Sequence, residues 1–416
     1  MDSLPALLDR AAARTAPVPR CPDDPEARAA MLEAARAMAP TLRARAAETE
    51  TLGRIPDATV EEFHRAGFFR ILQPFAVGGY EFAPSMYLDL CGEVARSCAS
   101  SSWVLANLAA HHLFMALWEP RAQDEVWGAS PDTLIGSSYI FTAGRAERVE
   151  GGWRLSGRWP FSSGIDPCEW TVVGASCPTG EGEARENRYF LLPREDYAIL
   201  DTWHVVGLRG TGSKDLEIRD AFVPDHRTLS FARATDGTAP GFAVHRGPLY
   251  RLPMQATGGF TLMATLYGSA RGAVDDYVAG LRAKVGRVGG KGLTELTAVQ
   301  TRIAEAEAKL DTVEMISRAA WEGAMRALRE DGALDPRYAM RLKRDSAWCA
   351  RLCVEAADTA FAGAGGGGLS EAGALQRHWR DVHAGAAQFG LQWDVWAPAY
   401  GRVRLGLPGG VPGIRI

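Results

Sequence analysis

Charge of one sign is what this 416-residue sequence most plainly lacks: 46 lysines and arginines stand against 50 acidic residues, for a formal net charge of -4 and an isoelectric point near 6.1. Nothing in that balance favours nucleic acid or an anionic membrane surface as a partner. No apolar run is long and charge-free enough to span a bilayer, and the first residues lack the charged-then-apolar order of a secretion signal. A soluble cytoplasmic protein is the expectation. The seven cysteines are odd in number and include no CxxC pair; Cys349 and Cys353 share a helical face without a histidine at ligand spacing, and read as small buried residues. The eight histidines are scattered apart from the adjacent His111 and His112, so no metal site is expected.

A strand is also missing where a nucleotide fold would need one. The stretch FAGAGGGGLS places Gly363, Gly365 and Gly368 at GxGxxG spacing. A dinucleotide fingerprint needs a strand before the glycines and a helix after them, so that backbone amides meet a pyrophosphate at the helix N-terminus. The preceding residues, ARLCVEAADTA, are alanine-rich with no β-branched run and predict helix. The glycines therefore read as a break between two helices.

With 47% hydrophobic and 23% charged residues, the chain can bury more than one core. Its first part reads as helix. PDATVEEFHRAGFFRIL opens with Asp57, Glu61 and Glu62, acidic groups suited to a helix start, and MYLDLCGEVARSCASSSWVLANLAAHHLFMALW, nearly charge-free after Arg96, predicts a long buried helix. The texture then turns to antiparallel strands. ERVEGGWRLSGRWPFSS alternates around an EGG turn, EWTVVGA is β-branched, and NRYFLLP and LEIRDAFVP are short runs bounded by turn residues. Helix returns afterwards: Val299, Ile303, Ala306, Leu310, Val313 and Ile316 recur at alternating three- and four-residue spacing, the stripe of a bundle helix. Helix, strand and helix in blocks argue against a Rossmann sheet.

The segments GGYEFAPSMYLDLCGEVARSCASSSWVLANLAAHH, GRWPFSSGIDPCEW, DTWHVVGLRGTGSKDLEIRDAFVP, YGSARGAVDDY and GGGGLSEAGALQRHWRDVHA span most of the chain. Together they resemble the acyl-CoA dehydrogenase superfamily, and within it the two-component flavin-dependent monooxygenases that include hydroxylases of phenolic acids and steroid-derived phenols. The resemblance implies an α+β multidomain fold, with an N-terminal helical domain at 1–127, a central antiparallel β domain at 128–232 and a C-terminal four-helix bundle at 233–416. It implies an oxygenase component that receives reduced FMN or FAD from a separate NAD(P)H-flavin reductase, forms a C4a-hydroperoxyflavin with O2, and hydroxylates a small phenolic or indolic substrate as a homotetramer. An N- or S-oxygenating enzyme on the same fold is the alternative. An acyl-CoA dehydrogenase is a second, but the acidic residue that branch carries before a late Gly-Thr is missing from GALQRHWRDVHAGAAQFGLQWD, and Glu371 is the only nearby carboxylate.

By the same resemblance GRWPFSSG is the flavin segment: Trp159 and Phe161 flank the isoalloxazine, and Ser162 or Ser163 bonds its N5 edge, with Ser163 preferred. The plainer alternative is a strand ending in a Ser-Ser-Gly turn, with both aromatics in a β core. His111 matches the family's substrate-side histidine, suited as a neutral imidazole to take a phenolic proton, and His112 is its rival. Ser137 matches the contact to the substrate hydroxyl, with Ser138 a near-equal candidate. Trp203 and His204 are placed at the pocket wall, before a turn of Arg209 and Thr211 to Ser213 that either shapes the site or merely turns the chain. Arg271 is assigned to a flavin phosphate across a subunit boundary or to a helix-surface salt bridge. Where the family carries a histidine near flavin C4a this sequence has Gln388, which bonds but cannot titrate. His383, a little over one turn earlier, is the alternative, and an amine, indole or thioether substrate a third account. Arg380 and Asp381 read as a structural ion pair or a bundle-end contact.

Overall fold

The computed structural model describes residues 17–179, 184–283, 287–288 and 291–410. Helix α1 (Pro25–Leu52) starts where the Asp24 carboxylate accepts from the Glu26 amide and Pro25 fixes the first turn; it stops at Gly53, in the left-handed region. Helix α2 (Asp57–Ala66) follows. The long apolar helix expected next is divided. A π turn (Tyr87–Cys91) and one α turn (Gly92–Ala95) end at an extended Cys98, and α3 (Ala99–Met115) begins afresh. The serine run explains the break, because short hydroxyl side chains compete for backbone groups. Ser102 donates to the Cys91 carbonyl at 2.7 Å. Helix α4 (Pro120–Trp127) closes the first block.

Among the described residues eight strands form one sheet: β1 (Ile135–Ser138), β2 (Gly144–Val149), β3 (Gly152–Ser162), β4 (Trp170–Pro178), β5 (Arg185–Pro193), β6 (Ala198–Leu200), β7 (Lys214–Pro224) and β8 (Thr228–Ser230). The order is β6-β7-β3-β2-β4-β5-β8, with β1 beside β4. It is antiparallel except that β1 and β2 run parallel to β4, a pairing that side-chain alternation does not disclose. The site depends most on β3. Its register against β7 slips between Trp159 and Ser162, leaving one extra residue on β3. There Phe161 takes φ 66° and turns outward, 63% exposed, as a bulge re-aims a side chain.

Helices α5 (Met254–Ala283), α6 (Thr297–Glu330), α7 (Pro336–Ala364) and α8 (Ala374–Ala386) pack as the C-terminal bundle. On α6 the expected stripe is buried at Val299, Ala306, Leu310 and Val313, and half-buried at Ile303 and Ile316. A fifth helix, α9 (Trp393–Arg404), covers the start of α7 through Trp396 and Ala399 against Met340 and Ala347. A short ladder of Arg287–Val288 with Lys291–Gly292 lies between α5 and α6. The glycine run forms a tight turn from Gly365 to Leu369 directly after α7, so helix and not strand precedes it. Gly365 has φ 63° and ψ -160°, a region open essentially to glycine alone.

Candidate active site

Helix α3 is the spine of the site. It is buried throughout except at Asn107, Ala110 and Leu113, which recur every third residue and trace one line along the helix. One residue beyond Ala110 lies His111. Its Nδ1 meets the Ile135 carbonyl at 2.5 Å and its Nε2 meets Ser137 Oγ at 2.7 Å. A carbonyl only accepts, so Nδ1 carries the proton; a neutral ring then leaves Nε2 as a lone pair that takes the Ser137 O–H. Burial pushes the His111 pKa down to about 4, so the ring is neutral across the physiological range. Ser137 is half-buried on β1, and the Tyr139 hydroxyl also lies within hydrogen-bonding reach of it. The wall behind is aromatic: Tyr139 stands edge-on to His111 at 6.2 Å and to Phe114 and Tyr189 at 5.3 and 5.4 Å.

Two turns earlier on α3, Trp103 donates its indole N–H to Ser163 Oγ at 3.1 Å. Ser163 contacts Ser213 Oγ at 2.7 Å, Ser213 contacts Thr211 Oγ1 at 2.7 Å, and Thr211 donates to the Leu208 carbonyl at 2.9 Å. Trp203 also donates to that carbonyl, at 3.0 Å, and sets its ring edge-on to Phe161 at 6.3 Å. Leu208 itself has φ 52°, and its amide donates to Asp381 on α8 at 2.6 Å. Asp381 is 3% exposed; burial raises its pKa to about 7 despite that amide bond. Arg380 donates to the Val206 carbonyl at 2.6 Å and pairs with Glu50, which Arg377 also holds. Arg380 and Asp381 thus grip the 206–208 loop, a contact at the end of the bundle rather than an ion pair with each other.

Several expected site residues lie elsewhere. Trp159 is 0% exposed, its ring covered by Gly144 and Gly157 and its N–H spent on the Gly174 carbonyl, so it belongs to the β core and has no face for a flavin. Ser162 is equally buried, facing Gly136 inside the sheet. Ser138 donates to the Pro160 carbonyl, and His112 stacks on Trp127 while accepting its indole N–H, its pKa pushed by burial down to about 3. Both side chains are spent on contacts within the fold. Arg271 meets Glu307, Asp311 and, at 3.9 Å, Glu314, which is the salt-bridge alternative; three carboxylates repel a phosphate. Gln388 is exposed beyond the end of α8, and its amide oxygen accepts from the Gly390 N–H at 2.6 Å. His383 donates to the Trp379 carbonyl and faces Asp358 of α7, on the side of α8 opposite Asp381. His204 is exposed on the loop.

The comparisons with known proteins fall on this same architecture. Residues 260–393 match the family model "Acyl-CoA dehydrogenase, C-terminal domain". The oxygenase subunit HsaA of a flavin-dependent monooxygenase from Rhodococcus jostii (strain RHA1) is 37% identical over 89% of this chain and 97% of its own. The chain belongs to the flavin-dependent monooxygenase oxygenase subunits. An FADH2-dependent resorcinol hydroxylase oxygenase component from Rhizobium sp. (strain MTP-10005) is 34% identical over 89% of this monooxygenase and 92% of its own chain. The crystal structure of XiaF from Streptomyces sp., in complex with FADH2 and glycerol, superposes with a TM-score of 0.86 at 28% identity, covering 94% of this chain and 98% of that one.

Sequence alone did not single out Trp103 or Tyr139, which the structure sets beside Ser163 and His111. Trp103 was absorbed into an apolar helix. Tyr139 lies just past the serine pair, and Asp381 was read with Arg380 as an ion pair or a bundle-end contact. Their roles depend on which helix face meets the sheet, which spacing along the chain does not state.

Proposed function

We propose that this oxygenase subunit takes reduced FMN or FAD from a separate NAD(P)H-dependent flavin reductase and hydroxylates a small phenolic or indolic ring bound beside Ser137 and His111. The observation that carries the reading is the fixed tautomer of His111, which leaves Ser137 as an acceptor for a substrate hydroxyl and Nε2 as the end of a proton path. The relatives' names support the substrate class, since resorcinol is a phenol and another relative, 29% identical, is an indole-3-acetate monooxygenase.

The residues around Ser163 fit a flavin ring. Phe161 is the one large aromatic of the β3 bulge turned to the surface, Trp203 stands at its edge, and Ser163 is half-buried between them and α3 with a lone pair to spare. Bound reduced flavin supplies the activation of oxygen. The chain's own residues then orient and exclude: Trp103 and Ser213 hold Ser163, the Tyr139 cluster keeps the substrate side dry, and the Ser137 to His111 path removes the hydroxyl proton as the ring is attacked. A homotetramer is the assembly we infer; Met315 and Leu369, 71% and 69% exposed on the bundle, offer apolar surface for it, and light scattering tests it. Among the described residues no helix is long and apolar enough to cross a membrane.

The experiment is a panel of phenols and indoles supplied with reductase, NADH and oxygen, scored for hydroxylated product. Ser137→Ala and His111→Ala should each reduce product at least tenfold, as loss of a positioned general base does, while flavin binding stays intact. Full product formation by His111→Ala would remove it from the proton path.

A further inference from the structure

The polarity of the hydroxyl chain at Ser163 is fixed from both ends. The Leu208 carbonyl only accepts, so Thr211 must donate to it; Thr211 then accepts from Ser213, and Ser213 from Ser163. At the other end the Trp103 indole only donates, and Ser163 accepts it. Three hydroxyl protons fill three contacts, and none is left over. Thr211 and Ser213 are 1% and 4% exposed, so solvent offers no substitute partner. What Ser163 presents outward is a lone pair.

We propose that Ser213 and Thr211 select the oxidation state of the flavin by holding the Ser163 proton inside the protein. The inference rests on the reading above that flavin N5 faces Ser163. Reduced flavin carries a hydrogen on N5 and donates to that lone pair. Oxidised flavin has a bare acceptor at N5; it meets Ser163 lone pair to lone pair, or one buried contact of the chain must give up its proton. A site built this way accepts the reduced cofactor from a reductase and releases the oxidised one after turnover. Neither Ser213 nor Thr211 needs to touch the flavin for this.

The test is anaerobic titration of the wild-type protein and three variants with FMN and FAD, oxidised and dithionite-reduced, followed by flavin fluorescence and absorbance. Ser213→Ala removes the acceptor of the Ser163 proton. Thr211→Val, close to isosteric, lets Ser213 turn back to Ser163 and frees the same proton by a different route. Each should tighten oxidised-flavin binding roughly three- to tenfold, the worth of one recovered hydrogen bond, and leave reduced-flavin binding within about twofold. Ser163→Ala should weaken reduced-flavin binding. If Ser163→Ala does so while both other variants keep the wild-type oxidised-flavin affinity, the selection idea is overturned and the flavin placement stands. If Ser163→Ala changes neither affinity, the placement fails and the inference with it.

Discussion

At the scale of the residue, two side chains on one helix have chemistry set by what they are bonded to. His111 sits with its neighbour His112 in a charge-poor helix, and only the family resemblance favours His111 of the two. Their partners differ: His112 spends Nδ1 on the Trp127 indole, whereas His111 keeps Nε2 on Ser137. Burial lowers the His111 pKa to about 4, which carries a kinetic consequence. The group is already neutral at pH 6, so the rate of product formation should show no titration of slope one centred near 6.5. A pH profile with such a limb that vanishes in His111→Ala would mean the imidazole is solvated and charged in the working enzyme. The serine pair at 162 and 163 makes the same point: strand alternation buries one and turns the other toward α3.

At the scale of the element, the loop between β6 and β7 matters more than any single contact it makes. It is drawn against α8 at Gly207, where a Cβ would lie 2.3 Å from the Arg380 carbonyl oxygen. No side chain fits there without moving the loop. Gly207→Ala should therefore displace Leu208 from Asp381 and slacken the chain that ends at Ser163, costing about 1 to 3 kcal/mol of stability, as overpacking does. Hydrogen peroxide released per NADH consumed should rise in step. A variant with wild-type melting and unchanged coupling would show that the loop's seat on α8 does not govern Ser163. The helices themselves were legible: the α6 stripe, the acidic start of α2 and the helix before the glycine run follow from periodicity and propensity. The bulge at Phe161 was not, because it is settled by pairing with a strand distant in sequence, and the break at Cys98 was hidden by the apolar residues on either side of the serine run.

At the scale of the whole molecule, the fold buries neutral histidines, and stability should report it. His111, His112 and His378 have pKa values lowered by burial to about 4, 3 and 3, against an ordinary value of 6.5. Below pH 6.5 the unfolded chain binds protons that the folded one refuses, so stability falls as the pH drops. Asp381, raised to about 7, acts in the opposite sense, since its folded form keeps a proton as the pH falls below 7. Three groups outweigh one. At about 1.4 kcal/mol per unit for each group, stability at pH 5 should lie on the order of 3 kcal/mol below that at pH 7. Calorimetry at the two values checks this, and an unchanged melting temperature would mean the histidines take up protons without unfolding.

What the sequence by itself determined is the order of its blocks and the chemistry on offer: helix, sheet and helix, a family resemblance carried by five segments, and the His111, Ser137 and Ser163 candidates. The blocks follow from local propensity, a property of neighbours along the chain, and the candidates follow from the resemblance carried by those segments. Only the tertiary structure decided which candidates meet. Trp159 left the site for the β core, Arg271 turned to three carboxylates, and Trp103, Ser213 and Asp381 joined Ser163 from three separate elements. A hydrogen bond joins atoms that are close in space, and closeness across tens or hundreds of residues is a property of packing alone.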